Sequence, residues 1–311
     1  ALCTLQYALE EGERNDWFDS PLITGCFVAS AVSAALFVVR ELSAPVPAVD
    51  VRLFKEPVFL SGTLIGCVMF AMLFSLTFLL PVFMQEVLGF TATQSGLALM
   101  PRTLVMMLIT PIVGRFYNKI SPRVVVGFGV ILFVISAYMM SHYTLETSSQ
   151  NVIAALLIQG AGFSCLFVPL MTIAISNIPR NKIPDATGSN SLVRQIGGSV
   201  GVAIFATLQG RSVIAARHGL VAHLWPGRPE VIERLAMSQS MFTGRAGLDA
   251  ASAKSGANAM LDFMIFRQAT VLSFEKMFLL AGIAFLAILP LLLFLKTGPK
   301  PAEKVDVHLD V

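Results

Sequence analysis

Seven stretches of this chain are long and apolar enough to cross a membrane, and that property constrains its fold more than any other. A spanning helix needs about 20 mostly apolar residues. Leu22–Val39, Pro57–Gln85, Val124–Ser141, Ser148–Pro179 and Phe278–Leu295 carry no charged residue, while Thr93–Gly114 and Thr187–Gly210 carry one each, Arg102 and Arg194. In lipid the backbone polar groups must be satisfied internally, and runs that are apolar on every face do so as helices. The expected fold class is therefore an all-α membrane protein. Composition agrees: 13% of residues are charged and 55% hydrophobic, with a mean hydropathy of +0.75, whereas soluble domains carry about a quarter charged residues.

Lys and Arg in short loops set the orientation of such a chain. Arg115, Lys119 and Arg123 share one loop. By alternation Arg40, Arg52 and Lys55, then Arg180 and Lys182, then Lys296, Lys300 and Lys304 fall on the same side. The opposite short loops, Glu86–Ala92 and His142–Gln150, hold neither residue type, and the N-terminal stretch to Asp19 sets Arg14 against five acids. The basic side, including the C-terminus, is expected to be cytoplasmic. The long stretch Arg211–Glu275 falls on the other side. Within it "PEVIERLAMSQSMF" and "ANAMLDFMIFRQATVLSF" set apolar residues at helical spacing beside charges. These segments are expected at the membrane surface or packed on the bundle, with a partner-binding role left open. The chain starts without Met or a basic signal-peptide start. "ALCTLQYALEEGERNDWF" begins apolar and turns acidic at Glu10, as the last turns of a helix would, and the chain is expected to be a fragment.

A charge at bilayer depth costs about 2.5–3.5 kcal/mol on insertion scales, so Arg194 and Arg102 are the first candidates for function. At 100° per residue, Thr187, Asn190, Gly198 and Gly201 share the face of Arg194. Ser191 and Gly197 flank that face, and Leu192, Ile196, Val200 and Ala203 lie towards the back. Gly197 and Gly201 form a GxxxG pair that permits close helix approach or leaves a cavity wall. Arg194 either borders a water-filled path or bonds carbonyls of a neighbouring helix and only holds the bundle. Arg102 shares its face with Thr91, Ser95 and Ala98, between Pro101 and Pro111. It lies about 13 Å of helix rise from its helix start, so snorkelling to the interface competes with a cavity role. Gly160, Gly162 and Pro169 in "IQGAGFSCLFVPLMTIAIS" suit a broken or closely packed helix at a transport site. Phe70, Phe74 and Phe78, with Met69 and Met72, suit an adaptable apolar lining or lipid contact. Gln85 and Gln159 are further candidate polar contacts.

Several function classes lack their parts. Cys3, Cys26, Cys67 and Cys165 are far apart with no CxxC, and the four histidines are scattered, so neither a disulfide nor a metal site is expected. No pair of carboxylates, His cluster or activated nucleophile sits at membrane depth, so an enzyme is not expected. Nothing points to a nucleic-acid partner. No Asp or Glu lies within the seven spans, although proton-driven carriers need a membrane carboxylate.

"NSLVRQIGGSVGVAI" (Asn190–Ile204), "FLLPVFMQEVLGFTATQSGLALMPR" (Phe78–Arg102) and "VGRFYNKISPR" (Val113–Arg123) together resemble the 14-helix drug:proton antiporters of the major facilitator superfamily, the EmrB/QacA type. "GERNDWFDS" and "VDVRLFKEPVF" are similar to linker patterns of the same family, so the likeness runs along essentially the whole chain. It implies the end of a truncated helix at 1–12, then a segment 13–56 with an outer acidic loop, an extra spanning helix at 22–39 and a cytoplasmic linker. A C-terminal six-helix domain follows at 57–297, with helices at about 58–85, 93–114, 124–141, 150–177, 187–210 and 276–295, an outer loop at 211–275 and a cytoplasmic tail at 298–311. Gly114, Asn118, Lys119 and Arg123 lie on a degenerate copy of the superfamily's cytoplasmic loop motif, with Asn118 where that motif has Asp.

The resemblance further implies secondary active efflux. Lipophilic compounds would leave in exchange for protons by alternating access, with the proton gradient as energy source and no cofactor. The location implied is the bacterial inner membrane, multi-pass. The partner implied is a matching N-terminal half carrying the proton-binding acids, and, in Gram-negative relatives, a periplasmic adaptor at the outer loop. The arginines would oppose bare cation binding, so the acid that attracts cations is expected in that other half. The competing expectation is a truncated, non-transporting scaffold or subunit.

Overall fold

The computed structural model describes residues 2–12, 15, 17–43, 51–116, 120–175, 178–225, 227–246 and 249–293. Arg14, Asn118, Lys119, the three tail lysines and the tail 298–311 lie outside the described residues. Among those described, nine α-helices follow in order: α1 (Leu2–Glu11), α2 (Pro21–Ser43), α3 (Pro57–Glu86), α4 (Ala92–Phe116), α5 (Pro122–Met140), α6 (Ser149–Ile175), α7 (Ile183–Ala222), α8 (Pro229–Ala246) and α9 (Ala250–Leu293). Seven of them, α2 to α7 and α9, are long and apolar enough to cross a membrane. The chain is an all-α, multi-pass membrane protein, as its hydropathy dictates.

Helix ends follow local chemistry. Proline opens the first turns of α3 and α5, where its missing N–H has no partner to lose. After α3 the Val87 and Leu88 N–H groups reach back to the Phe83 carbonyl, at 2.9 and 3.4 Å. The chain then reverses at Gly89, whose φ of +73° suits glycine. Two residues later α4 opens with a reciprocal capping box. The Thr91 N–H donates to Gln94 Oε1 (2.9 Å) and the Gln94 N–H to Thr91 Oγ1 (3.2 Å). Asp249 caps α9 by accepting from the Ala251 and Ser252 N–H groups at 3.2 and 3.3 Å. Hydrogen bonds from the Ser252 side chain and backbone, then from Ala251, hold the Asp249 carboxyl below its ordinary pKa.

The turns after α3 and α5 lie at one end of the bundle, here termed distal, and the basic loops at the other, proximal end. Small residues and hydroxyls join the helices, as they must where lipid offers no hydrophobic drive between apolar surfaces. The α3–α7 interface is the most extensive, followed by α5–α6 and α4–α6. A Cβ on Gly162 would lie 3.1 Å from the Gly129 carbonyl of α5, and one on Gly160 would lie 2.6 Å from the Arg102 carbonyl of α4. Ser136 Oγ donates to the Ala155 carbonyl (2.9 Å), Thr110 Oγ1 to Ser164 Oγ (3.1 Å) and Ser273 Oγ to the Gln209 carbonyl (3.0 Å). Phe83 anchors a distal aromatic core with Tyr143, Phe274 and Phe278, at centroid distances of 5.6, 5.4 and 6.1 Å.

The helix bounds depart from the expected spans mainly at 211–275. That stretch is largely helical: α7 continues to Ala222, α8 is a separate helix, and α9 starts at Ala250. With 40 and 44 residues, α7 and α9 run about 60 and 66 Å, twice the hydrocarbon thickness of about 30 Å. They extend distally as an antiparallel pair tied by Arg217 and Asp262 at 2.5 Å, and α8 packs on α9. The physical reason is that the end of an apolar run does not end a helix. Residues 211–222 and 250–275 are too polar for lipid, yet contain no proline to interrupt the ladder. Glu275, outside the expected span, consequently sits inside a continuous helix.

Candidate functional site

Arg194 lies where α3, α6 and α7 meet and is only 5% exposed. Its guanidinium carbon stands 4.9 Å from the ring centroid of Phe70 on α3 and 6.0 Å from that of Phe167 on α6. Gly66, one turn before Phe70, makes room for it: a Cβ there would meet Arg194 Cδ at 3.3 Å. One Arg194 N–H donates to Ser191 Oγ at 3.3 Å, while the buried Nε has no hydrogen-bond partner among the described residues. The charge thus rests largely on aromatic faces, whose negative quadrupoles attract a cation. Phe163 completes the aromatic group, 6.3 Å from Phe70 and 5.4 Å from Phe167.

Asn190, one turn before Arg194, shares this face. It is 2% exposed, approaches Met171 Sδ of α6 at 3.9 Å, and leaves its Oδ1 without a partner among the described residues. The three glycines that follow seat α3. A Cβ on Gly197 would collide with Cys67, one on Gly198 would meet the Phe74 ring at 3.1 Å, and one on Gly201 would lie 2.6 Å from Ala71 Cα. A side chain is absent at each point because α3 occupies its space.

Arg102 forms a second polar level. It is 7% exposed and donates to Thr77 Oγ1 on α3 at 2.9 Å. It does not snorkel: Thr77 offers a hydroxyl at bundle depth, which the sequence spacing alone does not reveal. Thr77 lies seven residues beyond Phe70 on α3, so the two arginines are separated by about 10 Å along that helix. Gln159, next in sequence to the Gly160 that packs on the Arg102 backbone, is 1% exposed, with neither its Oε1 nor its Nε2 partnered among the described residues.

The other expected positions fall elsewhere. Gln85 is exposed near the distal end of α3 and joins neither arginine. Gly160 and Gly162 are packing points on two different neighbours inside an unbroken α6, with Pro169 buried further along it. Gly114 and Arg123 are exposed at the proximal end. Among the described residues no group of three His, Cys, Asp or Glu side chains is placed to hold a metal. Sequence reasoning missed Thr77, Gln6 and Ser199. Ser199 Oγ donates to Gln6 Oε1 on α1 at 2.5 Å, across a separation that periodicity cannot report.

Comparison with known proteins bears on this architecture. The Major Facilitator Superfamily profile matches residues 14–202. The multidrug export protein EmrB of Escherichia coli is 30% identical over 295 residues, covering 94% of this chain and 56% of EmrB. The fatty acid resistance protein FarB of Neisseria gonorrhoeae is 28% identical, over 92% of this chain and 55% of FarB. The uncharacterized MFS-type transporter YhcA of Bacillus subtilis is 31% identical, over 66% of this chain and 38% of YhcA. The chain therefore spans about half the length, or less, of these curated relatives. With the profile match covering more than half of an all-helical, multi-pass chain, the protein belongs to the major facilitator superfamily and is of the EmrB type.

Proposed function

We propose that this chain supplies the C-terminal helix bundle of a secondary transporter that exports lipophilic compounds in exchange for protons by alternating access. The observation that carries this reading is the Arg194 guanidinium. It is buried between Phe70 and Phe167, with Nε unpartnered among the described residues, at a junction of three helices. A charge that only tied helices together would have its N–H groups satisfied by carbonyls. A charge on aromatic faces beside Asn190 can instead exchange partners as those helices move. The names of the relatives, multidrug export and fatty acid resistance, support apolar cargo.

In this reading the site opens between this bundle and a matching six-helix half, the usual place for a midplane site in such carriers. The exposed apolar stripe of α4, with Leu97, Leu104, Met107 and Leu108, is then covered by that half or by lipid. The basic proximal loops face the cytoplasm, and the α7–α8–α9 projection faces outward.

The test is dye accumulation in a bacterium deprived of its main efflux pumps and expressing the gene that encodes this chain. Accumulation of a lipophilic dye is expected to fall severalfold, and the difference to vanish when the proton gradient is collapsed. Equal accumulation with and without the protein, at verified membrane abundance, would contradict the reading.

A further inference from the structure

We propose that the cleft between α1, the 3₁₀ turn Trp17–Asp19 and α7 holds one zwitterionic phospholipid of the distal leaflet, with its phosphate on Arg211 and its amine on Asp19. Such a site is separate from the Arg194 junction and goes beyond the export reading. The turn is tied to its own neighbours. The Trp17 N–H donates to the Gly12 carbonyl at 2.7 Å, Thr24 Oγ1 of α2 donates to the Phe18 carbonyl at 3.2 Å, and the Phe18 ring lies 5.3 Å from that of Phe27. The turn thus packs on α2, while α7 is met by α1. A cleft of about 840 Å³ is left between the turn, α1 and α7, within the range of small-molecule sites, about 300–1,000 Å³.

The cleft has the length of one acyl chain. Val200, Ile204 and Leu208 recur every fourth residue of α7, all exposed, and with Leu9 of α1 they make an apolar wall. Thr207 on the same wall turns its hydroxyl to the Ala203 carbonyl at 2.8 Å, so no polar group there needs a partner. Arg211 ends the apolar run of α7 and so marks the distal boundary of lipid. From Val200 to Arg211 is about 16 Å of helix rise, against about 15 Å for half of a hydrocarbon core of roughly 30 Å. Trp17 lines the same cleft, and indole rings favour the headgroup level. Charge specifies the head. Arg211 and Asp19 both line the cleft and are exposed, and neither makes an ion pair among the described residues. A guanidinium accepts two phosphate oxygens side by side, and a carboxylate pairs with an ammonium. A zwitterionic head offers both groups at once, whereas an anionic head brings net negative charge beside Asp19.

The test is native mass spectrometry of the protein in detergent micelles, titrated with palmitoyl-oleoyl phosphatidylethanolamine or with phosphatidylglycerol of the same chains. One phosphatidylethanolamine is expected to bind about tenfold more tightly than phosphatidylglycerol. Arg211→Gln is expected to weaken phosphatidylethanolamine by about tenfold, and Asp19→Asn to bring the two lipids within about twofold of each other. Ile204→Trp, which fills the apolar wall, is expected to weaken both. Arg211 and Asp19 are exposed, so their exchange leaves the fold intact, as monodisperse gel filtration checks. Wild-type affinity in Arg211→Gln overturns the proposal, as does equal binding of the two lipids by the wild-type protein. The cleft would then hold annular lipid without selection, or be covered by another part of the transporter. Neither result bears on the export reading, which the dye-accumulation test decides.

Discussion

Replacing Arg194 by alanine is expected to abolish gradient-driven export while the protein still inserts at normal abundance. The magnitudes separate the two roles open to this arginine. An arginine at bilayer depth costs about 2.5–3.5 kcal/mol to insert. What it recovers here is a contact with Phe70 and Phe167, worth about 2 kcal/mol when desolvated, and a long bond to Ser191. Alanine removes the cost and the contact together, so insertion has little to lose. Export has everything to lose if the charge moves between partners. Arg194→Lys keeps the charge but not the planar stack, and is expected to retain only part of the activity. Growth inhibition by a lipophilic drug, read beside membrane abundance by immunoblot, checks both variants. Low abundance of Arg194→Ala with proportionate loss of resistance would reduce the arginine to a bundle support.

Gly201→Val is expected to fail in the opposite way, by losing the folded bundle. Its Cβ would lie 2.6 Å from Ala71 Cα and closer still to the Ala71 carbonyl oxygen, and both are backbone atoms of α3. Backbone cannot swing aside as a side chain can, so α3 and α7 must separate along their most extensive contact. Overpacking costs about 1–3 kcal/mol where side chains yield, and the backbone clash places this substitution at or above the top of that range. Gly114→Ala is the control, because a Cβ there meets nothing within 4 Å and alanine favours the helix by about 1 kcal/mol. Fluorescence-detected gel filtration after heating in detergent should show Gly201→Val aggregating well below the wild-type temperature, and Gly114→Ala at or slightly above it. Wild-type behaviour of Gly201→Val would mean that the two helices are not packed as described.

These two residues also show which parts of the molecule the sequence carries in the open. The shared face of Asn190, Arg194, Gly198 and Gly201 follows from helical periodicity, a local rule, and the structure buries all four. The order of the spanning helices follows from the length of apolar runs, again locally. What lies on the other side of each contact is not local. Thr77 and Arg102 are 25 residues apart, and Gln6 and Ser199 are 193 apart, so no window reports either pairing. Arg102 accordingly looked able to snorkel, and Gln85 looked able to join a site from which it stands away. The same limit applies to Gly160 and Gly162. As a pair they suit either a weak point in α6 or close packing, and the sequence does not say that each packs against a different neighbour. Helical spacing in 229–242 and 257–274 was legible, but the continuity of α7 and α9 past the spanning level was hidden, because hydropathy marks where lipid ends while helix bonding continues past it.

The measurement that tests the central claim most directly is thiol accessibility at Asn190. With Cys3, Cys26, Cys67 and Cys165 replaced, Asn190→Cys would be treated with a membrane-impermeant methanethiosulfonate reagent in export-competent vesicles. Asn190 is 2% exposed in this conformation, so a site that opens alternately to each side predicts slow but complete labelling, retarded by a transported lipophile. A thiol at 190 that never reacts from either side, in a protein that still exports, would show that the Arg194 face is sealed core and not a transport path.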